Sequence, residues 1–259
     1  SFFDKNSQEY IKCVARSFRR QEKIISKKYL FMGHARAIAY ILKRCSLLLP
    51  NSQSEYERLK RDFPETGSYC VVPNGVDTDI FYMPVRDEVR GNKVLCAARI
   101  EPQKNQLNLI KAIRGTPYLL TLAGAVAPNH QYYYRQCREA AGANVRFAGL
   151  CSAGEMAKMY REHRVHVLPS WFETTGLSSL EAAACGCSIV VTDKGDTRAY
   201  FGDHASYCDP SDADSIREAI SEAMHQPGQY QLLDEIKDRY NWKVAARETV
   251  KAYQHALRI

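Results

Sequence analysis

Two glutamates, Glu173 and Glu181, are separated by seven residues in the stretch PSWFETTGLSSLEAAACGC (169–187). Two cations, Arg99 and Lys104, lie in AARIEPQKNQ (97–106). Each stretch leaves an apolar run and enters a helical pattern. A pair of carboxylates raises the question of acid–base work on a glycosidic bond, whose carboxyl pairs stand roughly 5 to 9.5 Å apart. Eight helical residues rise about 12 Å, so Glu173 and Glu181 are better placed to grip two parts of one elongated ligand. Two cations beside a helix N-terminus favour an anion, because the unpaired N–H groups and the helix dipole already do so. A diphosphate fits that description. The alternative for Arg99 is a surface ion pair with Glu101. Gly176 and the residues after it can present backbone N–H groups to an anion or a sugar hydroxyl.

The elements that must position these residues follow from the apolar pattern. NKVLCAA (92–98), PYLLTLAG (117–124), NVRFAGL (144–150), VHVLPS (165–170), SIVVTD (188–193) and ASYCD (205–209) read as strands. NQLNLIKAIRG, HQYYYRQCREAAG, AGEMAKMYREH and SSLEAAACG between them carry helical spacing, several ending near glycine. Near-continuous hydrophobicity in the strands means both sheet faces are covered. That predicts an α/β domain with a Rossmann-like, doubly wound parallel sheet. Ligands of such sheets bind outside the carboxyl ends of the strands, and the residues above fall there. A third segment at such an end, FAGLCSAGEM (147–156), can offer backbone groups to a flat base with Leu150 or Cys151 as a wall, although most such loops are only turns. The tail, SDADSIREAISEAMHQ and NWKVAARETVKAYQHAL, is expected to be helical, each piece capped by Ser or Asn.

The first 70 residues differ. SLLLPNS (46–52) resembles a lone strand, QSEYERLKRDF (53–63) a helix, and basic helix precedes them. Residues 1–75 therefore read as the closing part of another domain, and VVPNGVDTDIFYMP as a turn-rich linker. Between Lys12 and Arg44 there are ten Lys or Arg residues and one acid, Glu22, interleaved with Phe18, Ile24, Ile25, Leu30 and Phe31. This pattern suits an anionic membrane surface or an ordinary solvated face. No nucleic-acid-binding motif accompanies the net charge of +7. No apolar run approaches a membrane span, and Ser1–Arg20 lacks the features of a signal peptide. The nine cysteines show no metal-binding spacing, so they read as small buried thiols of a cytoplasmic protein.

FETTGLSSLEAAACG resembles the Glu-x7-Glu signature of retaining glycosyltransferases with the two-domain GT-B fold, of the family 4 type. VPNGVD, ARIEPQKN and NWKVAARETVKAY are similar to that family's linker, phosphate loop and returning C-terminal helix, in the same order. The resemblance covers about residue 45 to the end and implies the C-terminal, donor-binding half of such an enzyme. On that basis Arg99 and Lys104 would bind the diphosphate of a nucleotide-diphosphate sugar and neutralise the leaving group. Glu173 would hold the donor sugar, supported by amides at Thr175, Gly176, Leu177 and Ser178. Glu181 would accept from the ribose hydroxyls. Asn74 of the linker motif and Leu150 would complete the substrate-binding set. The resemblance implies no metal and no cofactor, and Asp77-x-Asp79 belongs to the linker motif rather than to a metal site. The acceptor would be a saccharide or a lipid-linked one, as in polysaccharide biosynthesis, reached at the inner membrane face.

The same resemblance implies an acceptor domain with a glycine-rich loop and often a histidine. None of His34, His130, His163, His166, His204, His225 or His255 sits in a matching context. The expectation is a fragment of an enzyme longer by about 120 residues, one further domain, transferring little by itself. The alternatives are a non-catalytic nucleotide-sugar-binding subunit and an epimerase or phosphorylase on the same fold.

Overall fold

The computed structural model describes residues 27–83, 90–226 and 230–258. They divide into two compact units. One gathers residues up to Leu49 with Tyr56–Cys70 and the chain from Ala252 onward, and the other is Pro50–Glu55 with Val71–Lys251. The basic stretch before Lys27 lies outside the described residues.

In the first unit, α1 (Lys27–Leu42) is interrupted at Gly33, whose φ of 75° and ψ of 170° are not helical. The chain from Ser46 to Ser52 does not stand as a lone strand. Leu48 bridges Tyr69 in parallel, its amide donating to the Ser68 carbonyl at 2.9 Å. The partner was not legible because its short apolar run, Tyr69–Val72, passes straight into the turn-rich linker and reads as part of it. Helix α2 (Gln53–Asp62) begins in the second unit and ends in the first.

The second unit holds the sheet. Strands β1 (Lys93–Ala97), β2 (Leu119–Ala123), β3 (Val145–Gly149), β4 (Val165–Leu168), β5 (Ser188–Thr192) and β6 (Ala205–Cys208) run in the order β3-β2-β1-β4-β5-β6. Every pairing is parallel. Each strand lies where its apolar run predicts. Val94, Leu95, Val165, Val167, Ile189, Val190 and Val191 are all fully buried, as strands covered on both faces must be. Between successive strands run α3 (Gln106–Ile113), α4 (Gln131–Ala140), α5 (Ala153–Glu162), α6 (Leu177–Ala184) and the short α7 (Thr197–Phe201). Helices α8 (Ala213–His225), α9 (Tyr230–Arg239) and α10 (Trp242–Ala256) follow. The chain winds outward from β1 in one direction and from β4 in the other, so the crevice at the β1/β4 carboxyl ends is the switch point where such folds bind ligands.

Two local readings change. Helix α8 is capped by Asp212, whose side chain accepts from the Asp214 amide at 2.9 Å, not by Ser211, whose hydroxyl is spent on Asp209 at 2.7 Å. Asn241 does cap α10, accepting from the Val244 amide. Helix α9 had no place in the sequence reading. Its buried Leu232, Leu233 and Ile236, with Tyr240 just after it, are spaced for a helix, but no capping residue announces its start.

A buried arginine locks the outer helices. Arg90 donates to the carbonyls of Cys185 at 2.8 Å, His163 at 3.3 Å and Tyr160 at 3.5 Å. These carbonyls stand at the C-terminal ends of α5 and α6, and those of Tyr160 and His163 are shared with the Cys187 thiol. Arg90→Leu removes the donors while keeping apolar volume. We expect a loss of about 2–4 kcal/mol, read as a lower urea midpoint, with ligand binding unchanged in the folded fraction. An unchanged midpoint would refute the capping role.

Cys96, Cys137, Cys185, Cys187 and Cys208 are buried free thiols, whereas Cys45 is exposed. Burial pushes Cys96 and Cys187 up to about 12, so they are protonated packing groups. His166 on β4 is equally interior. Its Nε2 faces the Ala97 amide at 3.5 Å, and burial lowers it to about 3, so it is a neutral core residue.

Candidate functional site

The loop after β1 is built to stay put. Pro102–Lys104 form one turn of 3-10 helix, and Asn105 then takes a left-handed conformation (φ 60°), which asparagine tolerates better than most residues. The buried Asn105 amide group donates to the carbonyls of Pro169 at 3.0 Å and Pro210 at 2.7 Å. One side chain thereby ties the loop after β1 to those after β4 and β6. Gln106 adds a bond to the Arg99 carbonyl at 2.8 Å, and the Trp171 amide donates to the Gln103 carbonyl at 3.0 Å. Neither Asn105 nor Gln106 stood out in the sequence. A polar residue beginning a helix is too common to signal a buried clamp.

The loop after β4 is held as firmly. Glu173 pairs like a strand residue with the 194–196 segment: its amide donates to the Lys194 carbonyl and its carbonyl accepts from the Asp196 amide, both at 2.9 Å. Asp196 in turn accepts from the Ser54 hydroxyl. Asn74 donates through Nδ2 to Thr175 Oγ1 at 2.7 Å. Tyr200 accepts from the Asn74 amide at 3.2 Å and donates to the Asn51 carbonyl at 2.8 Å. The loop ends at Gly176 (φ 69°), which caps α6. Ser179 and Leu180 amides both turn back to the Gly176 carbonyl. Among the described residues, the amides of Leu177 and Ser178 donate to no protein acceptor.

These loops enclose an open cleft of about 330 Å³ lined by Asn74, Ala97, Ala98, Lys104, Leu168, Glu173 and the 174–178 segment. Within it Lys104 Nζ and Glu173 Oε1 form an ion pair. Their side chains are 20% and 8% exposed. The cleft therefore offers a shielded cation, a shielded carboxylate and free helix amides side by side. That combination suits a ligand with a phosphate and neighbouring hydroxyls.

Asn74, Lys104, Glu173, Thr175, Gly176, Leu177 and Ser178 are thus brought together. Arg99, Glu181 and Leu150 do not line this cleft. Arg99 makes the alternative surface pair, Nη2 to Glu101 Oε1 at 3.0 Å, with its side chain 69% exposed. Such a pair is worth at most about 1 kcal/mol and does not lock the guanidinium. Glu181 sits half-buried on α6 and accepts from the Tyr160 hydroxyl at 3.0 Å. Burial raises its pKa while that bond opposes the rise. Leu150 is 81% exposed beyond β3. The Ser152 amide and hydroxyl of its loop are committed to a capping box with Glu155, so this loop has fewer free polar groups than expected. Asp77 accepts from the Asp79 amide at 3.0 Å, a local turn. Among the described residues no group of three His, Cys, Asp or Glu side chains could hold a metal ion. No helix among them is long and apolar enough to cross a membrane.

The strand order and the furnished switch point define a Rossmann-like α/β domain of the kind found in GT-B glycosyltransferases. Residues 84–249 match the family model described as glycosyl transferases group 1, and the chain belongs to that family. It is 25% identical over 253 residues to a probable sucrose-phosphate synthase of Thermosipho melanesiensis, covering 88% of this chain and 59% of that protein. It is 24% identical over 241 residues to a D-inositol 3-phosphate glycosyltransferase of Paenarthrobacter aurescens, covering 84% and 59%. The chain thus spans about three-fifths of the length of these relatives. Among solved structures, sucrose-phosphate synthase of Thermosynechococcus elongatus superposes with a TM-score of 0.77 at 22% identity, covering 90% of this chain and 64% of that one. Anabaena HepE in complex with UDP-glucose gives 0.70 at 16%, covering 97% and 77%.

Proposed function

We propose that the cleft binds the diphosphate and sugar of a nucleotide-diphosphate sugar, as the donor-binding half of a retaining, metal-independent glycosyltransferase. The observation that carries this reading is the Lys104–Glu173 pair lying in the same cleft as the free amides of Leu177 and Ser178. An ammonium has three donors, so Lys104 can keep Glu173 and still hold a phosphate oxygen. The α6 amides hold the same phosphate without reorganising. Glu173 then accepts from sugar hydroxyls, and the weakly tied Arg99 swings to the departing diphosphate. Catalysis is electrostatic stabilisation of the leaving group with fixed placement of the anomeric carbon, and no side chain is a covalent nucleophile. HepE, which shares the fold, is solved with UDP-glucose bound, which agrees in kind with such a donor.

The acceptor, a saccharide or lipid-linked one, is assigned to a second domain that this chain carries only in part. Residues 1–75 are read as part of that acceptor domain, 76–240 as the donor domain and 241–259 as the helix returning to the former. Action at the cytoplasmic face of an anionic membrane completes the reading. Calorimetric titration of the chain with UDP-, GDP- and ADP-sugars, with and without magnesium, tests it. Binding of one donor class, equal in the two conditions, is expected. Binding that requires magnesium removes the metal-independent part, and binding of none removes the donor site.

A further inference from the structure

Glu181, like Glu173, has its carboxylate gripped by a side chain from another element, but here the donor is a neutral hydroxyl. Tyr160, on α5, donates its hydroxyl to Glu181 Oε2 at 3.0 Å. The donor is unusually well fixed. Its side chain is 1% exposed, and its ring meets Phe81 and His166 edge-on, with centroids 5.9 Å and 5.8 Å away. Its carbonyl accepts from the Cys187 thiol at 3.0 Å and from Arg90. Ring and backbone are both held, so the hydroxyl has one position. Burial also raises the phenol's pKa well above the ordinary tyrosine value, which keeps it a donor.

We infer that Tyr160 is a positioning residue: it fixes one oxygen of Glu181 so that the other is presented, already oriented, to the ribose hydroxyls of a bound nucleotide. The inference rests on the donor-cleft reading above, with Glu181, which lies outside the cleft lining, taken as the contact for the ribose of the same nucleotide. A glutamate on a helix surface samples many rotamers, and restricting them before the ligand arrives strengthens binding without adding a contact. The arrangement also divides the labour within the carboxylate. Oε2 belongs to the protein, and Oε1 is left for the ligand.

The test compares ribo- and 2′-deoxyribonucleoside diphosphates of uracil, guanine and adenine by calorimetry on the 259-residue chain. The proteins are the unmodified chain, Tyr160→Phe, Glu181→Ala and the double variant. Tyr160→Phe keeps the ring between Phe81 and His166 and removes only the hydroxyl. The unmodified chain is expected to prefer the ribo form by about tenfold or more, the value of a charge-assisted hydrogen bond. Tyr160→Phe should cut that preference by at least about fivefold while leaving affinity for the deoxy form within twofold. In the Glu181→Ala background the same substitution should change neither. A loss in Tyr160→Phe that is equal for both sugars, or that persists without Glu181, overturns the inference and assigns Tyr160 a purely structural role. An unmodified chain that binds a nucleotide without preferring the ribo form likewise overturns it. An unmodified chain that binds none of the six overturns the donor-cleft reading itself.

Discussion

Lys104→Ala is expected to lower affinity for the nucleotide-diphosphate sugar by about 10- to 150-fold, the value of one charge-assisted hydrogen bond to phosphate. Transfer by an enzyme containing this domain should fall further, by about 10²–10³-fold, because the developing charge on the leaving diphosphate loses its stabiliser. The substitution carries a stability cost as well. Glu173 is 8% exposed, and deleting its partner leaves a shielded carboxylate unpaired. Breaking a fully buried pair from one side costs about 3–5 kcal/mol, and this one should cost less because Lys104 keeps 20% of its side-chain surface. The two effects separate in the double variant Lys104→Met with Glu173→Gln. Without the lone charge it should recover most of the lost melting temperature, yet bind donor no better than Lys104→Ala. Thermal melts beside calorimetry on the three proteins make the comparison. Donor binding by Lys104→Ala at the unmodified level would remove Lys104 from the site.

A second large effect is expected at a residue with no functional group. Gly195 has a φ of 120°, and a Cβ built there would lie 1.8 Å from the Glu173 carbonyl oxygen. Alanine fits only if the pairing between Glu173 and the 194–196 segment opens, and that pairing aims Glu173 at Lys104. Gly195→Ala should cost about 4 kcal/mol or more, in the range of clashes and strained backbone. In whatever fraction folds, the extra affinity of nucleotide sugar over free nucleotide should vanish, because the carboxylate proposed to face the sugar has moved. Gly91→Ala is the control. Gly91 also has a positive φ (61°), but a Cβ there meets nothing within 4 Å, so only the backbone term of about 1–2 kcal/mol applies. Equal urea midpoints for the two variants would show that the contact with Glu173 does not constrain the loop.

Both predictions concern residues joined by the fold rather than by the chain. Glu173, Lys104 and the Gly176 turn were legible as residues because each sits where an apolar run gives way to a helix. Their mutual contact was not. Lys104 and Glu173 are 69 positions apart, and Asn74 and Thr175 are 101 apart. Hydrophobic periodicity reports which face of an element is covered but says nothing about which side chains of different elements meet. Arg99 shows the same limit in reverse. Sequence offered it either a phosphate or Glu101, and the free protein takes Glu101 because that partner is two residues away. Asn105, Tyr160 and Asp196 escaped notice because an asparagine at a helix start, a tyrosine in an amphipathic helix and an aspartate in a loop are commonplace. Only burial and a distant partner make them specific.

By itself the sequence determined the six strands, the parallel winding and the strand ends outside which such sheets bind ligands. Continuous β-branched and leucine-rich runs can be satisfied only between two layers of helix, and right-handed crossovers leave few topologies. Tertiary structure alone decided what stands at those ends. The adjacency of β1 and β4, in register through Val94–Val165 and Leu95–His166, brings the lysine of one loop to the glutamate of another. Asn105, Gly195 and Tyr160 then fix the aim of each, through bonds and close approaches whose partners no local pattern encodes.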